Sequence, residues 1–192
     1  MLIKKKIKIG ILGQGYVGLP LAIEFGKKYY VKAYDINKKR IYNLNKRIDT
    51  NKDISKTDFK KSSNILFTTK LRDLTECNVF IITVPTPIKK NKKPELKFVK
   101  KACTDISSVI KKNDIVILES TVYPGLTEEF CVPIIEKNSN LKFNIDFFFG
   151  YSPERINPND KKHTLTNIVK ITSGSNKKTA LFVDKLYKKI IK

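Results

Sequence analysis

The sequence is poor in the residues that usually announce metal, disulfide or nucleic-acid chemistry. It has one histidine, His163, in a lysine-rich loop with no second ligand nearby, so no metal site is expected. The three cysteines, Cys77, Cys103 and Cys131, lie far apart without a CxxC spacing. An odd count in a chain without an export signal argues for reduced thiols, not a disulfide framework. Each sits among apolar neighbours and reads as a small buried hydrophobe. Arginine is scarce too: Arg40, Arg47, Arg72 and Arg155 are the four among 39 basic residues. The formal charge of +21 would suit a phosphate backbone. The lysines are nevertheless spread along the whole chain, and arginine is the better bidentate reader of phosphates and bases. No nucleic-acid partner is expected. Attraction of an anionic nucleotide is a milder consequence of the same charge. No apolar run approaches the roughly 20 residues that cross a bilayer. The lysine-flanked N-terminus is too short in apolar residues for a signal peptide and runs into a glycine loop. A cytoplasmic protein with no membrane partner is the expectation.

What is present is a regular alternation. With 192 residues, 41% hydrophobic and 30% charged, the chain has enough material for one cored domain over residues 1–192. There are no internal repeats and no low-complexity segments. "KIKIGILG", "VKAYDI", "NILFTT", "NVFIITVP", "DIVILEST", "FNIDFFFGYSPE" and "IVKITSGS" read as seven strands. Helical segments fall between most of them, and a last helix is expected from about Asn176 to Lys192. In "ELKFVKKACTDISSVIKK" the stripe Phe98, Ala102, Ile106 and Ile110 is expected to face the core. Strands apolar on both faces and separated by helices imply an α/β fold, a doubly wound, mostly parallel Rossmann-like sheet. Ligands in such sheets bind at the carboxyl ends of the strands.

The first strand runs into "GQGYVG", with Gly13, Gly15 and Gly18 in a GxGxxG pattern. A strand before it, a helix after it and Asp35 at the end of the second strand complete a dinucleotide-binding context. Gly13 permits a tight turn, Gly15 lets backbone approach a pyrophosphate, and Gly18 lets helix and strand pack closely. The pyrophosphate would rest on the helix N-terminus. Asp35 can accept from ribose hydroxyls and would repel a 2′-phosphate, which favours NAD over NADP. Nearby Lys38, Lys39 and Arg40 pull the other way. "TVPTP" (residues 83–87) and "ESTVYPG" (residues 119–125) close the fourth and fifth strands at the same sheet end.

Together with "GYVGLP" and "YSPERINP", these segments resemble the NAD-binding N-terminal domain of the UDP-glucose/GDP-mannose dehydrogenase family. The resemblance runs from about Lys6 to the end of the chain. "YSPERINP" is most similar to the branch acting on UDP-N-acetylhexosamines. The family oxidises the C6 alcohol of a nucleotide sugar to a carboxylate with two NAD per turnover, in polysaccharide precursor synthesis. Carried over, the resemblance implies cofactor contacts at Gly13, Gly15, Tyr16, Val17, Gly18, Asp35, Arg40, Pro85, Thr86, Ser120 and Thr121. It implies catalytic roles for Thr121, near the reacting centre, and for Glu154, in thioester hydrolysis, with Glu154 and Arg155 beside the UDP-sugar. The family's nucleophilic cysteine, its catalytic lysine and asparagine, and its homodimer interface belong to a central helix and second domain. This sequence ends before them, and none of its three cysteines matches the nucleophile. Three readings stay open: the NAD-binding part of such an enzyme, a stand-alone non-catalytic NAD-binding module or inactive fragment, and, remotely, a basic nucleic-acid binder.

Overall fold

A computed structural model describes residues 6–154 and 165–191. Seven strands form one sheet: β1 (Lys8–Leu12), β2 (Tyr30–Tyr34), β3 (Ile65–Thr68), β4 (Val79–Ile82), β5 (Asp114–Leu118), β6 (Phe147–Tyr151) and β7 (Ser173–Gly174). Their order is β3-β2-β1-β4-β5-β6-β7, parallel throughout except for the final β6–β7 pair. The chain winds outward from β1 in one direction and returns to start β4 on the other side. The switch point therefore lies between β1 and β4, where the strand ends leave a crevice.

Both sheet faces are apolar because the strands alternate side chains between two cores. Ile9, Ile11, Val79, Ile81, Ile115 and Ile117 point to one core. Phe80, Ile82, Val116, Leu118, Phe147 and Phe149 point to the other. Helices α1 (Gly18–Gly26), α2 (Lys38–Asn45), α3 (Lys56–Lys61) and α6 (Lys177–Tyr187) contribute to the first core. Helices α4 (Lys97–Ser107) and α5 (Val132–Ser139) contribute to the second. A two-sided sheet of this kind needs strands without polar alternation, which is what β4 and β5 supply.

Three expectations need correction. "IVKITSGS" is strand only at Ser173–Gly174, and it runs antiparallel. In α4 the buried stripe is Val99, Ala102, Cys103 and Ile106. Phe98 is half-buried and faces the strand-end cleft, while Ile110 lies beyond the helix but is buried in the same core as Ala102 and Ile106. The last helix spans Lys177–Tyr187, with Asn176 as its cap. The segment after Pro124 and Gly125 opens as a π-helical turn, Thr127–Cys131, before α5 begins.

Candidate cofactor cleft and its buried acid

Of the three glycines of the β1–α1 turn, two are sterically required and one is not. Gly13 has φ +100, a region closed to most side chains, and a Cβ there would sit 3.0 Å from the Thr83 carbonyl oxygen. At Gly18 a Cβ would stand 1.9 Å from the Gly13 oxygen and 2.4 Å from the Thr83 hydroxyl. Gly15 is the exception, because nothing lies within 4 Å of where its Cβ would be. Two glycines are thus demanded by the fold, and the third opens onto empty space. Helix α1 starts at that opening with no side chain capping its first turn. Within its first turn Leu19 and Leu21 donate to the Gly15 and Val17 carbonyls, so what the helix offers an anion at this opening is the positive end of its dipole.

Around this turn lies a cleft of about 750 Å³. Its floor is formed by the ends of β1, β4 and β5, its far wall by Asp35, Asn37 and Arg40, and its roof by Phe98, Lys101 and Asp105 of α4. Asp35 accepts from the Gln14 N–H at 2.7 Å and from the Asn37 N–H at 2.8 Å. Those bonds fix the carboxylate while leaving it lone pairs for a ribose hydroxyl. Arg40 is held on three sides: Nε donates to the Gln14 carbonyl, and Nη1 pairs with Asp49 at 2.7 Å and donates to Thr50. Its Nη2 is buried with no hydrogen-bond partner. A buried guanidinium donor left unpaired is costly, so its place beside the cleft fits an incoming acceptor.

The strand-end loops are laced to one another. The Ser120 hydroxyl donates to the Val84 carbonyl at 2.6 Å, and the Thr86 hydroxyl donates to the Thr121 carbonyl at 2.8 Å. These two hydroxyls hold the loops in register, and only their lone pairs face a ligand. Pro85, Thr86, Ser120, Thr121, Tyr16, Val17 and Glu154 line the same cleft as the glycine turn. Arg155 and His163 lie outside the described residues.

Below the loops is a cluster that sequence reasoning missed. Glu119 is fully buried, and its two oxygens are held from opposite sides. Lys170 Nζ lies 2.5 Å from one, and the Tyr187 hydroxyl donates to the other. Desolvation pushes the Glu119 carboxyl up to about 7, outweighing the pull of Lys170 and of the Tyr187 hydrogen bond. Burial, with Glu119 beside it, also raises the Tyr187 hydroxyl well above its ordinary value. At the cleft's other end, burial and the nearby Asp105 carboxylate raise Tyr34. The only sequence signal for Glu119 was its place directly after four apolar residues, Ile115 to Leu118, where an acid has no water to face.

The three cysteines are free and buried. Burial drives the Cys77 thiol up to about 12, and the Cys131 thiol beside Cys103 helps raise the latter. None of the three lines the cleft. Among the described residues no cluster of potential ligands could hold a metal ion, and no helix is long and apolar enough to cross a membrane.

The groups match a dinucleotide: open space over Gly15 at the start of α1, a carboxylate to accept from ribose hydroxyls, and a buried Arg40 Nη2 with no partner on the cleft wall. Comparison with known proteins agrees. The model of the UDP-glucose/GDP-mannose dehydrogenase family, NAD binding domain, matches residues 7–191. The chain is 55% identical over 187 residues to a UDP-N-acetyl-D-glucosamine 6-dehydrogenase from Pseudomonas aeruginosa, covering 97% of this chain and 44% of that protein. It is 51% identical to the enzyme of the same description from Salmonella typhi, with the same coverage. The solved UDP-D-ManNAc dehydrogenase of Pyrococcus horikoshii superposes with a TM-score of 0.87 at 32% identity, over 97% of this chain and 45% of that one. The chain spans less than half the length of these relatives. Sheet order, glycine turn and family match lead to one assignment: the chain belongs to the UDP-glucose/GDP-mannose dehydrogenase family, as an NAD-binding domain of it.

Proposed function

We propose that this chain is the NAD-binding part, one domain, of a cytoplasmic nucleotide-sugar 6-dehydrogenase. It oxidises the C6 alcohol of a UDP-N-acetylhexosamine to the carboxylate together with a remainder that supplies the nucleophilic cysteine and the dimer interface. The observation that carries this reading is a single cleft lined both by the dinucleotide turn with Asp35 and by Thr121 and Glu154. The names of the relatives support the substrate class. Gly13, Gly15, Tyr16, Val17, Gly18, Asp35 and Arg40 hold the adenosine and pyrophosphate half of NAD. Pro85, Thr86, Ser120 and Thr121 hold the nicotinamide half. Bound NAD supplies the hydride acceptor for both oxidations.

This chain's own groups serve the last step. Glu154 takes a proton from water as the water oxygen bonds to the acyl carbon of a thioester. The carbon–sulfur bond then breaks, and the electron pair returns to sulfur as thiolate. Thr121 helps orient that water, and Arg155 pairs with the substrate phosphates. The basic surface attracts the nucleotide sugar, not a nucleic acid.

Two measurements test the reading. Calorimetric titration of the chain with NAD should give saturable binding, weakened about 10-fold or more in Asp35→Ala by loss of charge-assisted ribose hydrogen bonds. An unchanged affinity removes Asp35 from the site. Mixing the chain with the remaining portion of the P. aeruginosa relative should restore NAD reduction with a UDP-N-acetylhexosamine. NAD binding without any restored reduction favours the stand-alone module.

A further inference from the structure

Nothing in the proposed chemistry uses Glu119, Lys170 or Tyr187, yet the described part of the fold buries all three together beneath the reacting end of the cleft. Lys170 and Glu119 have side chains 2% and 0% exposed. A buried ion pair of this kind seldom adds stability over a well-packed apolar pair, because desolving both charges offsets their attraction. Its location therefore needs another account. Lys170 Nζ makes a second bond, 3.1 Å to the Pro153 carbonyl, directly before Glu154. Glu119 directly precedes Ser120 and Thr121, and its own carbonyl accepts the Glu154 N–H at 3.3 Å. Ser152 is anchored as well, by its N–H to the Leu118 carbonyl at 3.0 Å and its hydroxyl to the Ile171 carbonyl at 2.9 Å. A line of fixed points runs from α6 through Tyr187, Glu119 and Lys170 to the peptide that carries Glu154.

We propose that Glu119 and Lys170 are positioning residues for Glu154: the ammonium grips the Glu119 carboxylate and the Pro153 carbonyl together and so fixes where the Glu154 carboxylate enters the cleft. Tyr187 holds the far oxygen of Glu119, which stops the carboxylate from rotating to follow Lys170. The proposal rests on reading Glu154 as the base of the hydrolytic step. It predicts a division of labour in which the cluster serves hydrolysis and leaves NAD binding alone.

The test uses Lys170→Met and the neutral double variant Glu119→Gln/Lys170→Met, the second guarding against misfolding from an unpaired buried acid. In the chain alone, amide hydrogen exchange at Ser152 and Glu154 should speed up about 10-fold or more in the folded double variant. NAD affinity should stay within about 2-fold of the parent. Unchanged exchange at both amides overturns the proposal. With the complementing portion supplied, both variants should release the first two NADH per site at the parental rate. Steady turnover should then fall about 10-fold or more, as expected for a misplaced base. Lys170→Arg, which keeps the charge, should recover part of that loss. An equal fall in both phases, or none in either, overturns the proposal. If the complemented parent reduces no NAD, the functional reading falls instead, and the exchange result still decides whether the pair holds Glu154 in place.

Discussion

Glu119 shows how far a single burial can move a titration. Its carboxyl is raised to about 7 in the fold and sits near 4.5 when free. Between those values the folded state holds a proton that the unfolded state has released. Stability from this group is therefore full below about pH 4.5 and is lost as pH rises through about 7. Chemical denaturation of the parent and of Glu119→Gln at pH 5 and pH 8 checks this. The parent should lose more stability than the variant over that interval, and parallel losses would contradict the assignment. The glycines divide in the same way at this scale. Gly18→Ala forces a Cβ to 1.9 Å from a carbonyl oxygen, an overlap expected to cost about 3 kcal/mol or more. Gly15→Ala meets nothing and should melt within a degree or two of the parent, yet bind NAD about 10-fold or more weakly because the methyl occupies the anion's approach.

At the scale of elements, what the sequence reveals depends on whether burial leaves a periodic trace. β4 and β5 are buried at every position, so Val-Phe-Ile-Ile and Asp-Ile-Val-Ile-Leu read directly as two-faced strands. The glycine turn was equally readable, since its chemistry is local. Helix α3 was not: six residues with only Phe59 buried leave no stripe, and its signal is the capping box of Ser55 and Asp58. The segment before β7 misleads for a different reason. Val169 and Ile171 are apolar yet exposed, and alternate with Lys170, which is the buried residue. Its partner is 51 positions away, and no local pattern encodes a pairing over that distance. Helix α6, which brings Tyr187 to this pairing, is capped by the Asn176 side chain at 2.9 Å from the Thr179 N–H. Asn176→Ala should cost about 1 kcal/mol in denaturant unfolding and leave NAD affinity unchanged.

At the scale of the whole molecule, the charge of +21 acts on rates before it acts on contacts. NAD carries net negative charge, so its association should slow steadily as salt rises from about 50 to 500 mM, as the Debye length shrinks. Stopped-flow association across that range checks it, and a salt-independent rate would mean the lysines are too dispersed to steer. The same lysines coat a body whose three thiols are all inside. Cys77, Cys103 and Cys131 are 2%, 0% and 0% exposed, and burial holds the Cys77 proton up to about 12. A maleimide or iodoacetamide probe should therefore find no reactive target in the native chain. In any assembly rebuilt from this chain and a second component, a sulfur that takes the label belongs to the second component. The fold supplies its own blank for locating the nucleophile of the proposed thioester step.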